Sequence, residues 1–421
     1  VTRRALRRTF GSLGVRNYRL YFAGQVVSVS GNWMQRVAEM WLIVQLTGSG
    51  VAVGLTAGLQ FLPVLVLGAW GGVVADRVGK RRLLVITQTA MALPALALWL
   101  LYERGSIEIW MVYALVFARG VVNAFDNPVR QSFVVELVGG ERLVNAISLN
   151  SVVVQSSRIA GPAAAGAIIA TIGVGPCFLV NTVSFGAMLV ALWLMDPKRL
   201  LTPPPVPRAP RQVRGAIAHV RRTPALLVPL AMMAVVGTLA YNFQVLLPLL
   251  ARFTWHGGAS VYAALTVAMG AGSVVGALLS SARSRVTPRL VCGAAVGFGL
   301  AELAVAGAPT LALQLVALVL LGGISVTFAA TTNSLLQLAV EPAMRGRVMA
   351  LYSVVFLGST PIGAPLVGWL AEVAGPRSGL VVGALAALVS GLVARAAYER
   401  AGIAAGASPR PDARSPASAA A

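Results

Sequence analysis

Three sets of polar residues lie at helical spacing inside otherwise apolar sequence. Asn32, Gln35 and Glu39 form the first, Arg119, Asn123 and Asp126 the second, and Ser151, Gln155 and Arg158 the third. Steps of three, four and seven residues place each set on one face of an α-helix. A further group is polar but uncharged: Thr238, Asn242 and Gln244, then Thr327, Thr331 and Ser334, with Asn333 and Gln337 alongside. Polar and ionisable groups in apolar runs are costly, and they serve to bind a charged or polar ligand or to carry protons. Bond-making chemistry is not indicated. No Ser/His, paired-Asp or metal-ligand arrangement occurs. Cys177 and Cys292 stand apart, as do His219 and His256, and no metal site is expected. The phosphate-binding pattern G-x-x-x-x-G-K-[ST] is also missing. The chain therefore reads as a non-enzyme without a cofactor, and any work it does must draw on an ion gradient, most economically of protons.

Each polar residue has a plainer role open to it. Glu39 could pair with Arg36 one turn away instead of meeting a ligand or proton. Arg119 and Asp126 lie seven residues apart, about 10 Å along a helix, so they do not pair directly. Glu302, alone near the end of an apolar run, is expected to reach the membrane interface. Trp33 and Trp41 could stack on a ligand or pack as interface anchors.

The elements that must position these residues follow from composition. Of 421 residues, 57% are hydrophobic and 11% charged, far too few charges to coat a soluble domain. Apolar runs of about 20 residues match the length that crosses a hydrocarbon core as helix. The runs fall near 19–46, 51–75, 83–102, 107–128, 145–170 and 175–195, then 224–250, 260–282, 289–307, 310–338, 347–373 and 377–398. Breakers separate them, such as Thr47-Gly48-Ser49-Gly50 and Gly173-Val174-Gly175-Pro176. The net charge of +21 does not mark a nucleic-acid binder, because the basic residues punctuate the gaps between spans. With twelve spans, 28 of the 34 basic residues fall on one side, which places both termini in the cytoplasm. The basic start (Arg3, Arg4, Arg7 and Arg8) leads into a span too long for a cleaved signal.

The expected fold is all-α and integral to the membrane, with twelve transmembrane helices in two pseudo-symmetric six-helix bundles. Residues 1–18 form a basic cytoplasmic start, 19–196 the first bundle and 223–400 the second. Residues 197–222 form a cytoplasmic linker. It opens on the stiff run Pro203, Pro204, Pro205 and Pro207, then continues as a basic helix whose Val213, Ile217 and Val220 share one face against an anionic leaflet. Residues 401–421, rich in Ala, Pro, Ser and Arg, read as a disordered tail. The bundles are related by sequence: a shift of 202 residues aligns Pro128–Gly166 with Ala330–Gly368 without gaps. Ser157/Ser359, Gly161/Gly363 and Gly166/Gly368 are among the identities. Parallel repeats of this kind bind substrate between the halves near mid-membrane and rock to alternate access.

The loop Gly72-x-x-x-Asp76-Arg77-x-Gly79-Lys80-Arg81-Arg82, between the second and third spans, resembles the signature of the major facilitator superfamily. Within it the chain is similar to the branch that contains the enterobactin exporter and the macrolide efflux proteins. The residues that carry this are Asn17-Tyr18-Arg19, Ser30-Gly31-Asn32-Trp33-Met34, Phe125-Asp126-Asn127-Pro128-x-Arg130-Gln131 and Arg158-x-x-Gly161-Pro162. The resemblance covers about residues 10–400. It implies a cytoplasmic gate in which Asp76 meets the N-terminus of span 11 and Arg77 reaches Asp126. Lys80, Arg81 and Arg82 also serve as topology anchors. Gly161, Pro162 and Gly166 resemble the antiporter motif of drug exporters, although Ala165 stands where that motif has a second glycine. Spans 1, 4, 7 and 10 line the cavity in this superfamily, which assigns it Asn32, Gln35, Glu39, Arg119, Asn123, Asn242, Gln244, Thr331 and Asn333, and Arg158 of span 5 is a further candidate for it.

The leading reading is a proton-coupled exporter of a small amphipathic compound, such as a siderophore or macrolide, working as a monomer in the cell membrane. An uptake permease of the same fold is the alternative within this class. A non-transporting membrane sensor or assembly partner is the alternative outside it.

Overall fold

The computed structural model describes residues 10–201 and 212–403, apart from 282, 284, 342 and 343, and without the side chains of 69, 73, 76 and 212–216. The N-terminal arginines, the linker prolines Pro203–Pro207, the tail and the side chains of Asp76 and Val213 lie outside the described residues. Every described element is helical. The helices are α1 (Arg16–Thr47), α2 (Gly50–Arg77), α3 (Lys80–Glu103), α4 (Ile109–Ile172) and α5 (Gly175–Leu194). After the short α6 (Gln212–Arg222) come α7 (Pro224–Leu239), α8 (Phe243–Leu249), α9 (Ala259–Ser281), α10 (Pro288–Gly307) and α11 (Leu311–Ala339). The last are α12 (Arg345–Gly358), α13 (Thr360–Ala374) and α14 (Pro376–Arg400). Among the described residues, ten segments are long and apolar enough to cross a membrane by length and composition.

The helices depart from simple spans at four points. α4 runs through the expected loop at 129–144 and turns at Gly139, whose φ of 69° suits a residue without a side chain. The apolar run from 224 breaks at Ala240–Asn242 and ends in a π-turn at Leu250–Thr254. The run from 345 breaks at Ser359, just before Pro361. Ser49, Thr287 and Thr310 cap α2, α10 and α11, each accepting a bond from the backbone N–H three residues on.

Contacts sort the helix ends onto two faces. On the face that carries the linker, Asn17 bonds the Asp196 carbonyl, Lys80 pairs with Glu136 at 2.6 Å, and Arg81 donates to the Leu192 carbonyl. On the opposite face, Trp255 bonds Gln314, and Arg377 donates to the Ala308 carbonyl. The basic run after Gly79 thus has local partners, a buried acid for Lys80 and helix-end carbonyls for Arg81.

Glycines decide how closely the two halves approach. A side-chain carbon on Gly50 or Gly54 of α2 would strike the backbone of Gly368 or Ala364 of α13. On the other side of the seam, Gly166 of α4 lies against Ala263 of α9, and Gly270 of α9 lies against the Arg158 carbonyl. The repeat is visible in these contacts. Gly166 and Gly368, identical under the shift, both meet the other half, whereas Gly161 and Gly363 pack within their own halves, on α1 and α7. Lipid tails supply no hydrophobic drive between helices, so close backbone approach at small residues holds the seam. Glu372 of α13 adds a polar contact there, accepting from Ser49 Oγ at 2.6 Å and from the Val51 N–H at 3.0 Å. A carboxylate on the first N–H groups of α2 also complements the helix dipole.

One measurement checks this packing. Gly272→Val in α9 would drive its new atoms into the Val319 backbone, and is expected to cost about 1–3 kcal/mol as overpacking. Gly186→Val, where nothing lies within 4 Å, should stay within about 0.5 kcal/mol. Thermal unfolding of the detergent-solubilised variants reads the difference.

Candidate functional site

One chamber lies at the seam, and a second, lined by the first half, adjoins it at Trp33 and Arg36. The larger, about 410 Å³, is lined by Trp33, Arg36 and Arg158 from the first half and by Tyr241, Gln244, Tyr262 and Phe356 from the second, with Ser325, Ala329 and others of α11. The smaller, about 300 Å³, shares Trp33 and Arg36 and continues along Asn32, Asn123, Asn127, Arg130 and Asn150 toward the linker face. On the opposite-face side Trp41 of α1 stacks on Tyr262 of α9, with ring centres 6.2 Å apart. Tyr262 also lines the large chamber, so the stack borders it.

The charges of the site fall into two kinds. Glu39 is fully buried and paired: Arg119 reaches it at 2.5 Å and Gln35 donates to it at 2.7 Å. Asn181 of α5 in turn donates to Gln35. Glu39 therefore pairs across to α4 rather than with Arg36 on its own helix. This corrects the expectation that Gln35 and Glu39 line the cavity: both are 0% exposed and sit behind it. Asp126 is held likewise, by Arg130 four residues on and by Thr87 and Gln88 of α3. The expected partner, Arg77, is replaced by these nearer donors. Arg130 also donates to Gln25 of α1 at 2.5 Å, tying the vestibule wall together.

Arg36 and Arg158 are of the other kind. Their guanidinium carbons stand 4.9 and 5.4 Å from the Trp33 ring centre. Among the described residues neither has a carboxylate partner, and the Nε of Arg36 is buried without a hydrogen bond. The indole face stabilises each cation in part. The rest of their binding capacity faces the chamber. Sequence reasoning set Arg36 aside as a neighbour of Glu39; its spacing of three residues from Trp33 was the available signal.

The other expected site residues divide. Asn32 and Asn123 line the smaller chamber, and Gln244 lines the larger while bonding Gln60 of α2 at 2.8 Å. Asn242 folds back on the Thr238 carbonyl at the break between α7 and α8. Thr331 bonds its own helix, and Asn333 accepts from Gln337. Neither lines a chamber: α11 presents Ser325, Val326, Ala329 and Ala330 instead. Gly161 lets α4 touch α1 at Ser30 and Trp33, next to buried Pro162. Of the gate loop, a side-chain carbon on Gly72 or Gly79 would meet open space, Arg77 is exposed, Lys80 and Arg81 are engaged as above, and Arg82 borders a surface groove with Trp193. Glu302, expected at the interface, is instead 0% exposed inside the second half.

A helical membrane protein with a seam chamber between repeated halves has the architecture of a carrier. The chain belongs to the transmembrane secretion effector family of the major facilitator superfamily, whose profile matches residues 8–416. It is 28% identical over 176 residues to the staphyloferrin A transporter of Staphylococcus aureus, a match that covers 41% of this chain and 44% of that protein, less than half its length. It is 27% identical to the multidrug efflux pump Tap of Mycolicibacterium fortuitum (87% of this chain, 91% of that). It is 26% identical to the enterobactin exporter EntS of Citrobacter koseri (89% and 90%). A bacterial homologue of the human lysosomal transporter Spinster, solved inward-facing and unoccupied, superposes with a TM-score of 0.69 at 16% identity, covering 91% of this chain and 97% of that one. The family and these relatives are membrane transporters rather than enzymes.

The buried Glu39–Arg119 pair generates a prediction. Glu39→Gln leaves Arg119 uncompensated, and should destabilise the protein by about 3–5 kcal/mol. The double variant Glu39→Gln/Arg119→Gln should cost clearly less than the sum of the two single changes. Thermal unfolding of the four proteins decides it, and simple additivity would contradict the pairing.

Proposed function

We propose that the chain is a secondary active exporter that moves a small amphipathic compound, anionic or aromatic in character, by alternating access driven by protons. The observation that carries this reading is the 410 Å³ chamber in which two guanidiniums without carboxylate partners flank the Trp33 indole. Such a site takes a ligand that brings its own negative charge and an aromatic face. Phenolic or carboxylate siderophores and polyketide-like compounds fit that description. The relatives named for enterobactin and staphyloferrin A support the siderophore class, and Tap supports the broader efflux class.

The same reading gives twelve crossings. α4 counts twice because it turns at Gly139, α7 with α8 and α12 with α13 each make one interrupted crossing, and α1 supplies the first. The skew of basic residues then puts both termini and the linker in the cytoplasm of a cell-membrane protein. In this orientation the smaller chamber leads toward the cytoplasm and the glycine seam closes the outer side, the arrangement that loads cargo for export. The lipid bilayer is the required partner, and one chain contains the whole cavity.

Transport into everted vesicles tests the proposal, with enterobactin as the probe. Its uptake should require the protein and collapse on addition of a protonophore; uptake that persists without the proton gradient would overturn the coupling. In the purified protein, Arg36→Gln and Arg158→Gln should each weaken binding of the carried probe by about 1.5–3 kcal/mol, roughly ten- to hundredfold in Kd. Quenching of tryptophan fluorescence reads this, and unchanged affinity in both variants would displace the site.

A further inference from the structure

The second half holds a buried acid that the cavity does not use. Glu302 of α10 is 0% exposed, and neither carboxyl oxygen has a hydrogen-bond partner. Among the described residues no Lys, Arg or His pairs with it. Its surroundings are specific. A side-chain carbon on Gly383 of α14 would stand 2.6 Å from Glu302 Oε1 and 2.9 Å from both the Ala240 Cα and the Leu239 carbonyl oxygen. The carboxyl thus lies across the bare Gly383 from the point where the helix after α7 is broken.

At that break the backbone ladder is interrupted. Ala240 N–H and Tyr241 N–H both bond the Val236 carbonyl, and the ladder restarts with Val245 and Leu246 on the Asn242 carbonyl. The carbonyls of Leu239, Ala240 and Tyr241 are left without a ladder donor, and Asn242 Oδ1 is likewise buried without one. Acceptors therefore gather here in excess of donors. An acid with no donor and no cation is far less costly in its neutral form, because burying an isolated charge is prohibitive. A proton on Glu302 also supplies the donor that the break lacks. Discontinuous helices near mid-membrane, with unwound carbonyls, are where carriers hold their coupling ions.

We propose that Glu302 is a proton-binding site of the second half, loaded in this conformation and exchanged through the break between α7 and α8 as the halves rock. The step is simple in its balance: a carboxylate takes up one proton to give a neutral acid, and the same O–H bond breaks to release it on the other side. Tyr241 connects this site to the cargo. It follows Ala240 at the break, lines the large chamber and donates to the Ser325 carbonyl at 2.5 Å. The inference rests on the proton-driven reading above but adds the site that such coupling needs, since Glu39 is held in an ion pair.

Infrared spectroscopy of the full chain in liposomes tests loading without any cargo. At neutral pH the wild type should show the C=O stretch of a neutral carboxylic acid, sensitive to D₂O, and Glu302→Gln should lose it. Absence of that band, or a band unchanged in Glu302→Gln, overturns the proposal. Enterobactin flux then tests coupling. The acceleration produced by a pH gradient should fall about tenfold in Glu302→Gln, within the ordinary range of site-to-site coupling, while gradient-free counterflow persists. Glu302→Asp should recover part of it. Equal acceleration in the variant and the wild type, or acceleration by sodium in place of protons, overturns the site. If the wild type carries no enterobactin the cargo reading fails, and the infrared result still decides Glu302.

Discussion

The absence of water inside a bilayer is the constraint on which this structure depends. Each intramembrane charge must be paired, be neutral or face a cavity. Three solutions are visible side by side. Glu39 and Arg119 pair with one another, Gln35 donates to Glu39, and Asn181 donates in turn to Gln35. Arg36 and Arg158 lean on one indole and face the chamber. Glu302 has neither partner nor solvent. Assigning structure, cargo and coupling to these three follows from what each lacks.

The same constraint explains the seam. Without a hydrophobic drive between helices in lipid, the halves are held by backbone approach at Gly50, Gly54, Gly166 and Gly368, with Glu372 on the start of α2. The repeat places matching glycines, Gly166 and Gly368, on the two flanks of this contact.

Much of the architecture was legible in the sequence because membrane helices announce themselves by length and by the residues that separate them. The 202-residue repeat even indicated which glycines hold equivalent posts, since periodic small residues survive in the linear text. Pairing between helices was not legible. Spacing put Glu39 and Arg119 each on a polar helix face, but their meeting depends on how α1 and α4 rotate against one another, a tertiary property. Local geometry should have found the Asp126–Arg130 pair, which is four residues apart; the family resemblance pointed instead to Arg77. The breaks at 240–242 and 359 were hidden for another reason. Both lie in runs apolar enough overall to read as single spans, although Asn242 and Pro361 mark them, and the tertiary contacts of Gly383 and Gly237 show what packs against the breaks. Glu372 escaped notice because its partner, Ser49, is 323 residues away.

The central claim is that one chamber at the seam, reached from the linker face and lined by unpaired guanidiniums, receives the cargo. Thr266 lines that chamber. With Cys177 and Cys292 replaced by Ser, Thr266→Cys can be labelled by a membrane-impermeant maleimide in sealed vesicles of each orientation. Labelling is predicted in everted vesicles and not in right-side-out ones, with enterobactin protecting the thiol and Arg158→Gln abolishing that protection. Labelling only from the outer side, or labelling that no carried compound slows, would contradict the account.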